Sequence, residues 1–389
     1  MDQIHSDIAY FVVLLVAAVG LGTLAERIRL PYIVTLMLAS APLYFPNLPF
    51  QFGPALLVVF LPALVFEAAW NLDHRALERT WKAIAILALP GVVWTAAVVG
   101  FGLFVLRQLP LPQAFLLGVI LSATDPVAVI GTFRRLKVPL DLATIVEGES
   151  LFNDGAAVVL YGVVVAVIEK ADSTTNGLFA AAIAIGGSFG GVAVGLAVAF
   201  LVARLLRFVS DPSRQVVVTV VAAYGAYVLA DIFHLSGIFA AIVTGVGLRA
   251  FERGTMTDVA AEDIDRFWDI LAFLANSILF LLVGLRIEFA RIIHQPMLVI
   301  STLVLLVLSR VVLSYGCLPL IGIRGERTAW RHVVTLAGMR GALSLALALA
   351  IPQSFASRPQ IVDAVFAVVF ITLVAQGIAI GPAVARSRL

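Results

Sequence analysis

The sequence predicts an all-α integral membrane protein of thirteen transmembrane helices, and three observations carry that prediction. Of 389 residues, 61% are hydrophobic and 13% charged, with a mean hydropathy of +1.06; an ordinary soluble domain has about 25% charged residues. Thirteen apolar stretches, most of them about 20 residues long, follow one another down the chain. The basic residues concentrate in every second set of connections between them, as the positive-inside rule requires of a multi-pass protein.

Spans at 8–25 and 31–45 are joined across Arg27 and Arg29, and spans at 52–70 and 82–106 across Arg75, Arg79 and Lys82. Arg107 precedes the span at 112–132, and Arg134, Arg135 and Lys137 separate it from 141–168. Lys170 precedes 177–207, while Arg204, Arg207 and Arg214 mark the turn into 214–231. The short span 235–250 leads through Arg249, Arg253 and Arg266 to 264–285, after which Arg286 and Arg291 precede 297–321. Arg324, Arg327 and Arg331 introduce 329–351, Arg358 introduces 360–384, and Arg386 and Arg388 follow the last span. One alternate set of connections thus holds 19 Lys and Arg and the other 5, with Arg310 and Arg340 inside spans. The richer set is expected to be cytoplasmic, which puts the N-terminus outside and the C-terminus inside. A missed or invented span would scramble the alternation.

The start of the chain, with Asp2 and Asp7 and no basic residue before the first apolar run, does not read as a cleavable signal peptide. Cys317 is the single cysteine, so an internal disulfide and Cys/His metal chemistry are excluded. The pI near 8.8 comes from short, scattered basic clusters without interleaved aromatics, so no nucleic-acid partner is expected. No long polar linker interrupts the spans, and a single membrane transporter domain over residues 1–389, without a soluble regulatory domain, is expected.

Thirteen spans divide as six, one and six. In that division the fifth and twelfth spans hold equivalent places, and both carry helix breakers and polar groups: SATDPVAV at 122–129 and AGMRGALS at 337–344. Paired interrupted spans point to an inverted-repeat transporter with its site near the membrane midplane.

Four acidic residues sit well inside spans: Glu67, Asp125, Glu149 and Asp154. Each costs roughly 2.5–3.5 kcal/mol to place in hydrocarbon, so each marks a functional site with a partner nearby. Pro126 disfavours helix at the preceding residue and removes a backbone donor. The backbone around Thr124 and Asp125 is therefore expected to unwind and free carbonyls for a cation. Ser150 and Asp154 are four residues apart and share a helix face, as do Glu149 and Asn153 on the adjacent one. Hydroxyl and carboxylate oxygens side by side suit a monovalent cation such as sodium. Glu67 lies toward the cytoplasmic end of its span, where a shallow residue can also reach the interface. Arg340, flanked by Gly338 and Gly341, is placed to neutralise half-helix C-termini, which leaves Arg310 to pair with Glu149. Close buried carboxylates hold either a proton or a small cation, and competition between the two couples their fluxes.

These residues resemble the sodium/proton exchangers of the cation:proton antiporter superfamily, in the NhaP and animal NHE-like branch. The resemblance runs through LPALVFEAAW, SATDPVAV, EGESLFNDGAAVVLY, FWDILAFLANSILFLLVGL and AGMRGALSLALALAIP, and so covers nearly the whole chain. It implies two six-helix inverted repeats with broken crossing helices, the NhaA/NhaP-like fold, and a homodimer. Core-domain helices at about 82–168 and 297–384 would move as an elevator against dimer-domain helices at about 8–70 and 214–285, with a linker helix at about 177–207. It implies that Asp125 and Asp154 bind the ion with the Thr124 backbone and the Ser150 side chain, that Glu67 reaches it through water, and that Glu149 pairs with Arg310 beside Asn153. An asparagine at Asn153, where the electrogenic branch has aspartate, implies electroneutral exchange of one cation for one proton. The transported ions are then Na+, Li+ or K+ against H+, across an inner or plasma membrane, with no cofactor.

Other classes make definite demands on the sequence. An intramembrane aspartyl protease needs a Gly-x-Gly-Asp signature and a membrane metalloprotease His-Glu-x-x-His; neither occurs, so no enzyme activity is expected. A cation channel could use the same carboxylates as a selectivity ring, but paired broken helices favour alternating access over a continuous pore.

Overall fold

A computed structural model of the chain describes residues 2–28, 30–43, 54–169, 174–251, 258–286, 295–321 and 328–387. Residues 44–45 and 52–53 of the second and third expected spans lie outside the described residues. So do Arg29, Lys170, Arg253, Arg291, Arg324, Arg327 and Arg388. Among the described residues every regular element is helical. Each expected span falls on one helix, or in two cases on a pair of half-helices.

Helix α1 (Asp2–Ile28) and α2 (Tyr32–Ser40) are separated at Pro31, which takes the N-cap position of α2. Helix α3 (Pro54–Asn71) carries Pro62 inside it. Asp73 then caps α4 (His74–Val105) by accepting the Ala76 N–H at 2.7 Å, satisfying one of the donors that every helix start leaves open. Pro110 precedes α5 (Leu111–Ile120), Pro126 precedes α6 (Val127–Leu136), and Lys137 ends α6 in the left-handed conformation, φ 53°. After α7 (Leu140–Glu169) and α8 (Thr174–Leu206), Asp211 caps α9 (Pro212–Ile232) through the Arg214 N–H. Then come α10 (Gly237–Phe251), α11 (Asp258–Arg286) and α12 (Pro296–Val312), which runs on through a π turn at Leu313–Cys317 and a last turn at Leu318–Ile321. Half-helices α13 (Thr328–Leu336) and α14 (Ala342–Leu349) and the long α15 (Arg358–Arg386) complete the chain.

Eight of these helices are long and apolar enough to cross a membrane. Their outer faces are apolar too: Val13, Val16 and Val19 on α1, and Phe179, Phe189 and Leu196 on α8, are exposed. That is the surface of a protein whose solvent is lipid.

Two main apolar clusters lie inside. The larger joins α2, α4, α5, α7, the end of α11 and α12 to α15, with Leu36, Leu117, Ile145, Phe280, Val334 and Val368 fully buried. The smaller joins α3 and α8 to α11 around Phe66, Trp70 and Trp268, with Phe66 and Trp268 ring centroids 4.6 Å apart. Helices α8 and α10 approach almost backbone to backbone. A Cβ on Gly195 would sit 2.6 Å from the Ala240 carbonyl and 2.8 Å from Val243 Cβ, and one on Gly191 would strike the Ser236 carbonyl.

Candidate functional site

Both expected breaks are present, at 121–126 between α5 and α6 and at 337–341 between α13 and α14, and they touch each other. The Asp125 N–H donates to the Met339 carbonyl at 2.9 Å, so the two unwound strands satisfy backbone groups that a broken helix would leave open in a membrane. Asp125 Oδ1 accepts the Val127 N–H at 3.0 Å and Oδ2 accepts the Ala342 N–H at 3.4 Å. One carboxyl therefore faces the positive ends of two half-helices, α6 and α14. The negative ends meet cations instead. Arg340 Nη1 reaches the Ala123 carbonyl beyond α5 at 3.5 Å. Arg310 Nε and Nη2 donate to the Val334 carbonyl in the last turn of α13, at 3.1 and 2.9 Å.

Arg310 also forks onto both oxygens of Glu149 on α7. Glu149 is 2% exposed and Arg310 7%, so neither charge is relieved by solvent, and each depends on the other. Gly338 makes room for the guanidinium, since a Cβ there would lie 2.8 Å from Arg310 Nε.

Helix α7 presents Ser150 and Asn153 to the first break. The Thr124 N–H donates to Asn153 Oδ1 at 3.2 Å, Asn153 Nδ2 donates to Thr124 Oγ1 at 2.7 Å, and the Thr124 and Ser150 hydroxyls are 2.8 Å apart. The amide of Asn153 thus both donates and accepts, and pins Thr124 from two directions. One turn away Asp154 Oδ1 is buried with no hydrogen-bond partner among the described residues. An orphaned carboxylate oxygen is costly in a protein interior unless a proton or a cation completes it.

Thr124, Asp125, Ser150, Asp154 and Glu67 line a single cavity of about 400 Å³. Glu67 accepts from Asn71 Nδ2 at 2.6 Å, and Asn71 Nδ2 also donates to Asp269 of α11 at 3.3 Å. Among the described residues Glu149 and Arg310 do not line the cavity, and neither does Arg340, which is buried within the second break. The structure adds a residue that the sequence reasoning passed over: Glu147 lines the cavity together with the exposed Arg134. Its signal was available, because Glu147, Ser150 and Asp154 follow the three- and four-residue spacing of one helix face.

The profile of the family described as sodium/hydrogen exchanger, transmembrane, matches residues 12–386, almost the whole chain. The chain belongs to the sodium/hydrogen exchanger family. It is therefore a multi-pass membrane transporter and not an enzyme. Among its relatives, the Na(+)/H(+) antiporter ApNhaP of Aphanothece halophytica is 34% identical over 391 residues, covering 97% of this chain and 74% of that protein. The Na(+)/H(+) antiporter NhaP of Pseudomonas aeruginosa is 31% identical, covering 86% of this chain and 82% of its own. This exchanger-family chain also shares its fold with the sodium proton antiporter MjNhaP1 from Methanocaldococcus jannaschii, at a TM-score of 0.78 and 21% identity over 99% of both chains.

Proposed function

We propose that this protein is a sodium/proton antiporter that exchanges one Na+, or Li+, for one H+ by letting the two compete for Asp154 and Asp125. The observation that carries the reading is the unpartnered Asp154 Oδ1, in a cavity it shares with Asp125, Ser150 and Thr124. Each Asp125 oxygen already accepts one backbone N–H, which holds that carboxyl in place with acceptor capacity to spare, while the open Oδ1 of Asp154 has none of its capacity filled by the protein. The Thr124 backbone carbonyl in the unwound break and the Ser150 hydroxyl supply the hard, neutral ligands a monovalent cation needs. The neutral amide of Asn153, held against Thr124, puts no third carboxylate at the site and supports electroneutral exchange.

The cavity extends from these residues past Glu67 to Asp269 and the exposed Arg134, toward the end of the bundle where the basic connections lie. By the positive-inside rule that end is cytoplasmic, so this conformation faces inward. The crossing of two broken helices supports a pair of inverted repeats, the architecture in which a core domain moves against a scaffold as an elevator in a homodimer. A plasma-membrane location fits exchange that serves pH and sodium homeostasis.

Proteoliposomes test the reading. Na+ or Li+ added outside should collapse an imposed proton gradient without moving a voltage-sensitive dye. A response to K+ alone would make the protein a potassium/proton antiporter, and current without proton coupling would make it a channel.

A further inference from the structure

A second cavity, of about 580 Å³, lies on the other side of the site. Its walls are apolar, from Val158 and Gly162 of α7, Gly187 of α8 and Ile238 of α10. Among the described residues its polar side chains are Tyr227 of α9 and, toward the α9–α10 turn, Ser236 with the exposed Asp231, at the end of α9, and His234. Among the described residues two side chains line both cavities, Leu61 of α3 and Leu343 of α14. Leu343 is 8% exposed and follows Ala342, whose N–H donates to Asp125, so the first turn of α14 carries a wall of the site and a wall of the partition together. Leu61 precedes Pro62, which removes a backbone donor from the interior of α3 and gives that helix a place to bend.

We propose that Leu61 and Leu343 form the seal that closes the ion site from the second cavity, and that the second cavity is the vestibule through which a hydrated monovalent cation reaches the site in the opposite state. The proposal rests on the antiport reading. The two leucines common to both cavities offer an ion nothing to replace its water, which is how a short apolar constriction blocks conduction while wider, wet cavities lie on either side. A vestibule of this volume has room for several waters, each occupying about 30 Å³ in the liquid. Because the seal is carried by α3 on one side and by α14 on the other, relative motion of the two helices opens it in the same movement that shifts Asp125.

Liposomes holding the Leu61→Ala/Leu343→Ala double variant test this under an imposed membrane potential at equal pH on both sides. Radioactive Na+ uptake along the potential should rise by about tenfold over the parent protein, the signature of a breached apolar gate. A folded double variant as tight as the parent would overturn the seal. If the double variant fails to fold, Leu343→Cys in a Cys317→Ser background serves instead. A membrane-impermeant thiol reagent applied on the Asp231 side should modify it, and complete protection from that side would overturn the vestibule. Absence of sodium/proton exchange in the parent protein is a separate result, and would overturn the antiport reading itself.

Discussion

Arg310 grips both oxygens of Glu149 and the Val334 carbonyl at once, and so ties α7, α12 and α13 together at the depth of the ion site. Removing one partner strands a buried charge, which costs about 3–5 kcal/mol, whereas replacing both with apolar residues is often close to neutral. Glu149→Ala and Arg310→Ala should therefore each lower the melting temperature in detergent and reduce yield. The double variant Glu149→Met/Arg310→Met should recover much of the loss. Equal melting of the single variants and the parent would show that the pair is not what holds these helices.

Asp154→Asn and Asp125→Asn should each abolish sodium-driven proton movement while the protein elutes and melts as the parent does. An amide cannot trade a proton for a cation. Near-normal exchange by either variant would remove that carboxyl from the site.

Because proton and sodium compete for Asp154 in this scheme, lowering pH fills the site with protons and should raise the apparent KM for Na+ while leaving the maximal rate at saturating Na+ little changed. Initial rates at several Na+ concentrations, with pH equal on both sides, decide it. A KM independent of pH would mean that proton and cation bind at different places.

Gly341 lies in the second break, and a Cβ there would overlap the Asp125 carboxyl. The nearest atoms belong to the side chain that caps α6 and α14, so there is no harmless direction in which to yield. Gly341→Ala should cut exchange severely with little loss of assembly. Unchanged transport would show that the two breaks do not meet as closely in the working protein.

The Asn153 amide fixes Thr124 by one donated and one accepted hydrogen bond. Asn153→Ala frees the Thr124 backbone N–H and hydroxyl, and should raise the KM for Na+ through a looser ligand set. A lowered maximal rate at unchanged KM would instead place Asn153 in the conformational step.

Much of this arrangement was legible in the sequence, for local reasons. Pro126 in SATDPVAV and the glycines of AGMRGALS announce interrupted helices whatever surrounds them, and both breaks are present. The pairing of Glu149 with Arg310 was legible because a buried charge must find its opposite and few were available. The lock of Asn153 on Thr124 was not legible, since it depends on how α7 lies against a break 29 residues earlier in the chain. The bridge from Glu67 through Asn71 to Asp269 depends on a helix 198 residues away. Glu147 was passed over because its position near the start of α7 looks like an ordinary end-of-span charge until the cavity beside it is seen.

The glycine seam between α8 and α10 bears on how this gene can drift. Along α8, Phe189 and Leu196 face outward and one apolar residue there serves as well as another, so neutral replacement is cheap. Between them Gly191 and Gly195 meet backbone carbonyls across the seam, and even the smallest change, to alanine, has no conservative partner on α10 that could absorb it. A single helix thus combines positions free to wander with positions that stay fixed for as long as the two helices stay docked, and saturation mutagenesis of α8 would record that contrast at a spacing of a few residues.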